Sequence, residues 1–116
     1  MTSPATSAQR APQDAPIRVV IETISYINDM VEREGQSDAT FVEQARPGET
    51  IRSVLQRFAE RHARLKEALW DPNNRTEIGP HVEVIVNNAI LDIHHTLDSR
   101  VQDGDHITLT GQYIGG

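Results

Sequence analysis

The sequence predicts an α+β domain in which a sheet of about four to five strands packs against one long helix. Segments rich in β-branched residues, with apolar side chains at alternate positions, lie on both sides of a single helical stripe of apolar residues. Short stretches of Gly, Pro, Asn and Asp separate these segments. The predicted order is therefore strand, strand, long helix, strand, short strand, strand.

Two strands are predicted before the helix. Residues 17–27 alternate apolar and polar side chains after Pro16, and residues 39–45 repeat this pattern over a shorter length. Because the two segments are close along the chain, we expect them to form an antiparallel hairpin. The polar stretch between them, residues 28–38, has room for a short helical turn.

The long helix is predicted to begin after Thr50, whose hydroxyl can accept a hydrogen bond from an early backbone N–H. It is predicted to end at Asp71, because Pro72 cannot continue a helix. His62 falls on its apolar face, so we expect this histidine to be partly buried with a hydrogen-bond partner. The apolar residues predicted to share that face are Ile51, Val54, Leu55, Phe58, Leu65 and Leu69.

Three strand segments follow the helix, at residues 82–86, 89–93 and 106–110. A tight turn is predicted at Asn87-Asn88, and a second turn at residues 103–105. Strand alternation assigns one side chain in two to the core. The side chains predicted to be buried are Val82, Val84, Val86, Ile107 and Leu109.

Composition excludes several classes of function. The 116 residues fit one domain, with residues 1–16 as a flexible tail rich in Ala, Ser and Pro and residues 17–116 as the folded part. A net charge of −6 without a basic cluster argues against nucleic acid and acidic membrane surfaces as partners. The absence of cysteine excludes a disulfide framework and a catalytic thiol. No apolar run is long enough to span a bilayer and no signal peptide is recognisable, so we expect a cytoplasmic protein.

The five histidines do not form a metal motif in the sequence. Adjacent side chains in extended structure, such as those of His94 and His95, face opposite ways. No histidine spacing matches a zinc motif, and there is no cysteine to complete one. We therefore predict no metal site.

Four features in this order resemble the MoaD/ThiS family of ubiquitin-like sulfur carriers. They are residues 47–51 (PGETI), residues 82–88 (VEVIVNN), residues 103–105 (DGD) and the pair Gly115-Gly116. The resemblance covers residues 17–116 and implies the ubiquitin-like β-grasp fold, with a mixed sheet. Leu69-Trp70-Asp71-Pro72 and the loop before His81 look most like the carriers used in cysteine synthesis, with the molybdopterin-synthase small subunits as the other similar type.

The resemblance implies a carrier rather than an enzyme. An E1-like adenylating enzyme of the ThiF/MoeB type would use ATP and Mg²⁺ to activate the carboxylate of Gly116, and this chain would bind no cofactor itself. A sulfur donor would then displace AMP, and the resulting thiocarboxylate would serve an acceptor synthase in the biosynthesis of cysteine, molybdopterin or a related compound. Gly115 and Gly116 suit a narrow active site because neither carries a Cβ.

A docking surface for the activating enzyme is predicted on the open face of the sheet. Alternation with Val84 and Val86 turns Ile85 away from the core, where it resembles in position the exposed isoleucine of ubiquitin. A single exposed apolar side chain is the alternative reading, because such residues are ordinary on protein surfaces. The residues predicted to form the dock are Ile85, Thr108, Thr110, Tyr113 and Ile114.

A second function remains open from the sequence. In a ubiquitin-like modifier, Gly116 would instead form an amide with lysines of target proteins, after the same kind of activation. The chain holds one lysine, Lys66, against ten arginines, so it offers few sites for building chains on itself.

Overall fold

The computed structural model describes residues 15–112 and confirms the α+β class. Seven strands and three helices are formed in this range, and the helices lie on one side of the main sheet. In chain order the elements are β1 (Ile17–Ile24), α1 (Ile27–Met30), β2 (Asp38–Ala45), α2 (Ile51–Glu60), α3 (Ala63–Leu69), β3 (Trp70–Asp71), β4 (Asn74–Ile78), β5 (Val82–Val86), β6 (Ala89–Ile90) and β7 (His106–Gly111).

The main sheet has five strands in the order β2-β1-β7-β5-β6. The predicted hairpin of β1 and β2 is confirmed, with Ile17 opposite Ala45 and Ile24 opposite Asp38. The first and last strands, β1 and β7, run parallel in the centre, whereas every other pair is antiparallel. The sheet is therefore mixed, and its final strand is enclosed on both sides.

The prediction of one long helix is wrong, because the chain leaves helical geometry at His62, where φ is −137° and ψ is 92°. The predicted cap is confirmed, since the Thr50 hydroxyl accepts from the Ser53 N–H at 3.1 Å. At the break, the His62 ring packs 4.9 Å from the Phe58 ring and its Nδ1 lies 2.9 Å from Oε1 of Glu32. Because the apolar stripe continues in phase across His62, periodicity alone could not reveal the break.

The predicted core is confirmed on both sides of the fold. All six apolar residues predicted on the helix face are fully buried, in α2 and α3, and the predicted inward residues of β5 and β7 are at most 2% exposed. The predicted first strand is too long, because β1 ends at Ile24 and Ser25 adopts a positive φ of 65°. Ile27 is consequently buried in α1 rather than in a strand.

A small second sheet replaces part of the loop expected before Pro80. Strands β3 and β4 pair with Trp70 opposite Ile78, and the Gly79 N–H donates to the Leu69 carbonyl at 2.7 Å. A Cβ on Gly79 would lie 2.6 Å from the Ala68 carbonyl oxygen, so only glycine fits this close approach. The hairpin is therefore packed directly against the end of α3.

The turns that follow are formed as predicted. Asn87 and Asn88 connect β5 to β6 with positive φ values of 50° and 72°, and Gly104 turns with a φ of 89°. The short strand predicted over residues 89–93 is confined to Ala89–Ile90.

An ion-pair network fastens β2 to α2 on the covered face of the sheet. Glu43, only 5% exposed, accepts from Nε of Arg57 at 3.2 Å and pairs also with Arg61. Arg57 also donates to Oε1 of Glu49 at 2.8 Å. Burial alone would raise the pKa of Glu49, but hydrogen bonds from Arg57, the Arg46 backbone and Ser53 outweigh it and lower this pKa. The ionised form of Glu49 therefore favours the fold.

The first strand begins where the folded part was predicted to begin. Strand β1 begins at Ile17, directly after the exposed residues Ala15 and Pro16. Residues 1–14 lie outside the described part, so the flexible tail over residues 1–16 stays a prediction. Within residues 15–112, no helix is long and apolar enough to cross a membrane.

Candidate functional site

The face of the main sheet away from the helices carries the predicted dock. Ile85 on β5 lies directly opposite Thr108 on β7, while its neighbours Val84 and Val86 are buried on the other face. Thr110 lies further along β7 on the same face, opposite Glu83. All three predicted dock residues within the described range are half-buried, and the sheet brings them together on one surface.

Apolar side chains extend this surface toward both edges of the sheet. Ile90 on the edge strand β6 lies opposite Ile85 and is 48% exposed. At the other edge, Val42 on β2 is 50% exposed and lies opposite Val20. Three residues of this face were not predicted from the sequence: Val20, Val42 and Ile90. Strand alternation could have assigned the two valines to the same face.

Charged side chains lie between the isoleucines of β5 and β6 and the valines of β1 and β2. Glu22 on β1 lies opposite Thr108, and its Oε1 is 2.9 Å from Nε2 of His106. The hydrogen bond from His106, followed by one with Asp38, holds the pKa of Glu22 below its ordinary value. The hydrogen bond between the Glu22 and Asp38 carboxyl groups in turn raises the pKa of Asp38. The contact between the two carboxyl groups therefore favours the ionised form of Glu22 and the protonated form of Asp38.

The end of β7 leads towards the predicted reactive glycines. The strand finishes at Gly111, and the next N–H, that of Gln112, donates to the His81 carbonyl at 2.9 Å. Tyr113, Ile114, Gly115 and Gly116 lie outside the described residues, so their predicted roles stay predictions. Only four residues separate Gln112 from the end of the sequence.

The histidines are dispersed over the described part of the chain. His62 packs among aromatic rings at the helix break, and His106 pairs with Glu22 on the open face. Between residues 15 and 112, no three His, Asp or Glu side chains are grouped so that they could hold a metal ion.

Three solved structures are similar to this chain over most of its length. Small archaeal modifier protein 1 of Methanosarcina acetivorans is 14% identical, with a TM-score of 0.65 over 87% of this chain and 98% of its own. A chain of the Amycolatopsis orientalis BexX/CysO complex is 21% identical, with a TM-score of 0.58 over 84% and 99%. The putative molybdopterin converting factor subunit 1 of Pyrococcus furiosus is 16% identical, with a TM-score of 0.57 over 84% and 99%.

No protein-family model matches the sequence, and no curated protein resembles it significantly. The structural likeness nevertheless extends over nearly the whole length of each similar protein. Together with the mixed sheet and its central parallel pair, it identifies the fold of this chain as the ubiquitin-like β-grasp.

Proposed function

We propose that this chain is a sulfur carrier whose Gly116 carboxylate is activated by an E1-like enzyme and converted to a thiocarboxylate. One observation carries the proposal: β7, the central strand that is paired on both sides in this β-grasp fold, ends at Gly111, four residues before the pair Gly115-Gly116. A strand that is paired on both sides is a rigid base for a short reactive segment. In this role the chain is a carrier and co-substrate, and catalysis belongs to the partner.

The proposed reaction has two steps. A carboxylate oxygen of Gly116 attacks the α-phosphorus of ATP, pyrophosphate leaves, and an acyl-adenylate forms. Hydrosulfide then attacks the acyl carbon, the bond to AMP breaks, a proton is released, and the thiocarboxylate remains. Mg²⁺ and ATP are bound by the activating enzyme, so this chain needs no resident cofactor. The requirement for ATP favours a cytoplasmic setting.

The open face of the sheet is the proposed contact with an activating enzyme of the ThiF/MoeB type. Its apolar part is formed by Ile85 and Ile90, and the neighbouring Thr108 and Thr110 supply hydroxyl groups beside them. An exposed apolar patch with polar surroundings is the usual form of a protein interface. The predicted contributions of Tyr113 and Ile114 belong to the same proposal.

The test is incubation of the purified chain with its activating enzyme, Mg-ATP and sodium hydrosulfide, followed by intact-protein mass spectrometry. We expect one oxygen of the C-terminal carboxylate to be replaced by sulfur, with AMP released in step. Deleting Gly116, or adding one residue after it, should abolish AMP formation without altering the fold, because the reacting group is displaced. AMP formation that persists in both variants would refute the proposal.

The second candidate function is that of a ubiquitin-like modifier, favoured by the similarity to small archaeal modifier protein 1. In that case the activated Gly116 forms an amide with lysines of target proteins, and no thiocarboxylate accumulates. Digestion of conjugates from cells would yield branched peptides that join Gly116 to a lysine. If branched peptides are the only products in cells, the modifier function replaces the carrier function.

A further inference from the structure

The hydroxyl of Tyr26 lies where the chain leaves β7. It donates to the His81 carbonyl at 2.5 Å and accepts from the Gln112 N–H at 3.0 Å. The Gln112 carbonyl is 3.1 Å away and is a second acceptor within reach. One side chain from the loop after β1 therefore joins the residue before β5 to the first residue after β7.

The ring of Tyr26 also packs against the backbone of Gly111. A Cβ built on Gly111 would lie 2.5 Å from Cε2 and Cζ of the ring, far inside van der Waals contact. The last residue of β7 must therefore be glycine for the ring to take this position. The ring covers the end of the strand and its hydroxyl holds the next residue.

The loop that carries Tyr26 is held in place by two buried polar side chains on either side of it in the sequence. Thr23 and Asn28, which are at most 1% exposed, are joined by a hydrogen bond of 2.7 Å from the Thr23 hydroxyl to Oδ1 of Asn28. The Asn28 amide donates in turn to the Gln36 carbonyl at 2.9 Å. Because buried, satisfied polar groups hold a single geometry, the Tyr26 side chain rests on a rigid support.

We propose that Tyr26 is a positioning residue, which sets the direction in which the chain leaves β7 and so delivers the carboxylate of Gly116 to the activating enzyme. This inference rests on the proposed function. Gln112 lies only four residues before Gly116 in the sequence, so its backbone position sets where the reactive segment begins. A displaced starting point misplaces the reacting carboxylate, and acyl transfer depends closely on the position of the reacting group.

Tyr26→Phe is the direct test, because it removes the hydroxyl and keeps the ring over Gly111. We expect kcat/KM for AMP formation to fall about 5-fold, the effect of one neutral hydrogen bond, and Tm to fall by at most the few degrees that the loss of such a bond causes. Amide hydrogen exchange at Gln112, followed by NMR, should accelerate, with the His81 carbonyl left as the remaining acceptor of this N–H. Thr76→Val is the matched control, since it removes a hydrogen-bonded hydroxyl from β4 and should change none of these quantities.

A second test uses the contact between the ring and Gly111. Gly111→Ala should displace the Tyr26 ring and lower kcat/KM, because the added methyl group occupies the position of the ring. Combining it with Tyr26→Ala should be no worse than Tyr26→Ala alone, since both changes remove one contact. Losses that multiply in the double variant would contradict a shared role.

The outcomes separate this inference from the function on which it rests. An inactive wild-type chain, in the presence of an activating enzyme that adenylates its own verified carrier, refutes the proposed function. An active wild-type chain with an equally active Tyr26→Phe variant refutes the positioning role alone. If Tyr26→Phe lowers Tm but leaves kcat/KM unchanged, the hydroxyl is merely structural and the inference fails.

Discussion

Replacing Phe58 with alanine tests the packing on which the fold depends. The ring is fully buried near the C-terminal end of α2 and packs edge-to-face with Phe41, with 5.1 Å between ring centroids. The His62 ring lies 4.9 Å from the Phe58 ring and 5.9 Å from the Phe41 ring. The Arg61 guanidinium lies 5.7 Å from the centre of the Phe58 ring. Phe58 therefore joins α2 to β2 and to the helix break in one aromatic cluster.

The expected loss in the free energy of unfolding is about 3–5 kcal/mol, because Phe→Ala leaves a cavity in a core that relaxes only in part. The aromatic contacts contribute roughly 0.5–1.5 kcal/mol of this, beyond the burial of apolar area. For a domain of this size the loss corresponds to a fall in Tm of roughly 12 °C or more. It is a large fraction of the ~5–15 kcal/mol that stabilises a typical domain.

Urea denaturation measures the loss directly. Trp70 is the only tryptophan and is 6% exposed, so its fluorescence reports unfolding of the core, with circular dichroism as a second probe. Val42→Ala is the control, because this side chain is 50% exposed and its truncation should change stability by less than about 0.5 kcal/mol. A loss below about 1 kcal/mol for Phe58→Ala, at an unchanged m value, would show that the aromatic cluster does not stabilise the fold.

Two further predictions concern the dock and the acid stability. Ile85→Glu should leave folding nearly intact but weaken binding to the activating enzyme in a calorimetric titration, because it introduces a charge into the apolar part of the open face. Thr76→Glu, which adds the same charge outside this face, is the control. If Ile85→Glu binds the enzyme as tightly as the wild-type chain, Ile85 is not part of the dock. The ionised form of Glu49 should stabilise the fold above the ordinary glutamate pKa, and this contribution should be lost as the pH falls through the lowered pKa of the folded state. Glu49→Gln should therefore lower stability at neutral pH and flatten the acid branch of the stability curve, whereas Glu77→Gln on β4 should do neither.

Elements whose pattern is local could be predicted from the residues alone. Alternation in β5 placed Val84 in the core and Ile85 on the open face, and the positive φ values that Asn87 and Asn88 tolerate formed the turn after it. The helix cap at Thr50 is likewise predicted by a few neighbouring residues. In each case the backbone geometry of a strand, turn or helix start determines where neighbouring side chains point, so a few adjacent residues are sufficient.

Features that join distant parts of the chain depend on how the whole molecule packs, and no local pattern predicts them. The helix break at His62 depends on Phe41 and Glu32, which belong to other segments, and the stripe of apolar residues continues through it unchanged. The hydrogen bond between Tyr26 and Gln112 spans 86 positions, and no local pattern relates the two residues. Such contacts exist because β7 pairs in parallel with β1, and strand order follows from the packing of the whole sheet rather than from the periodicity of either strand.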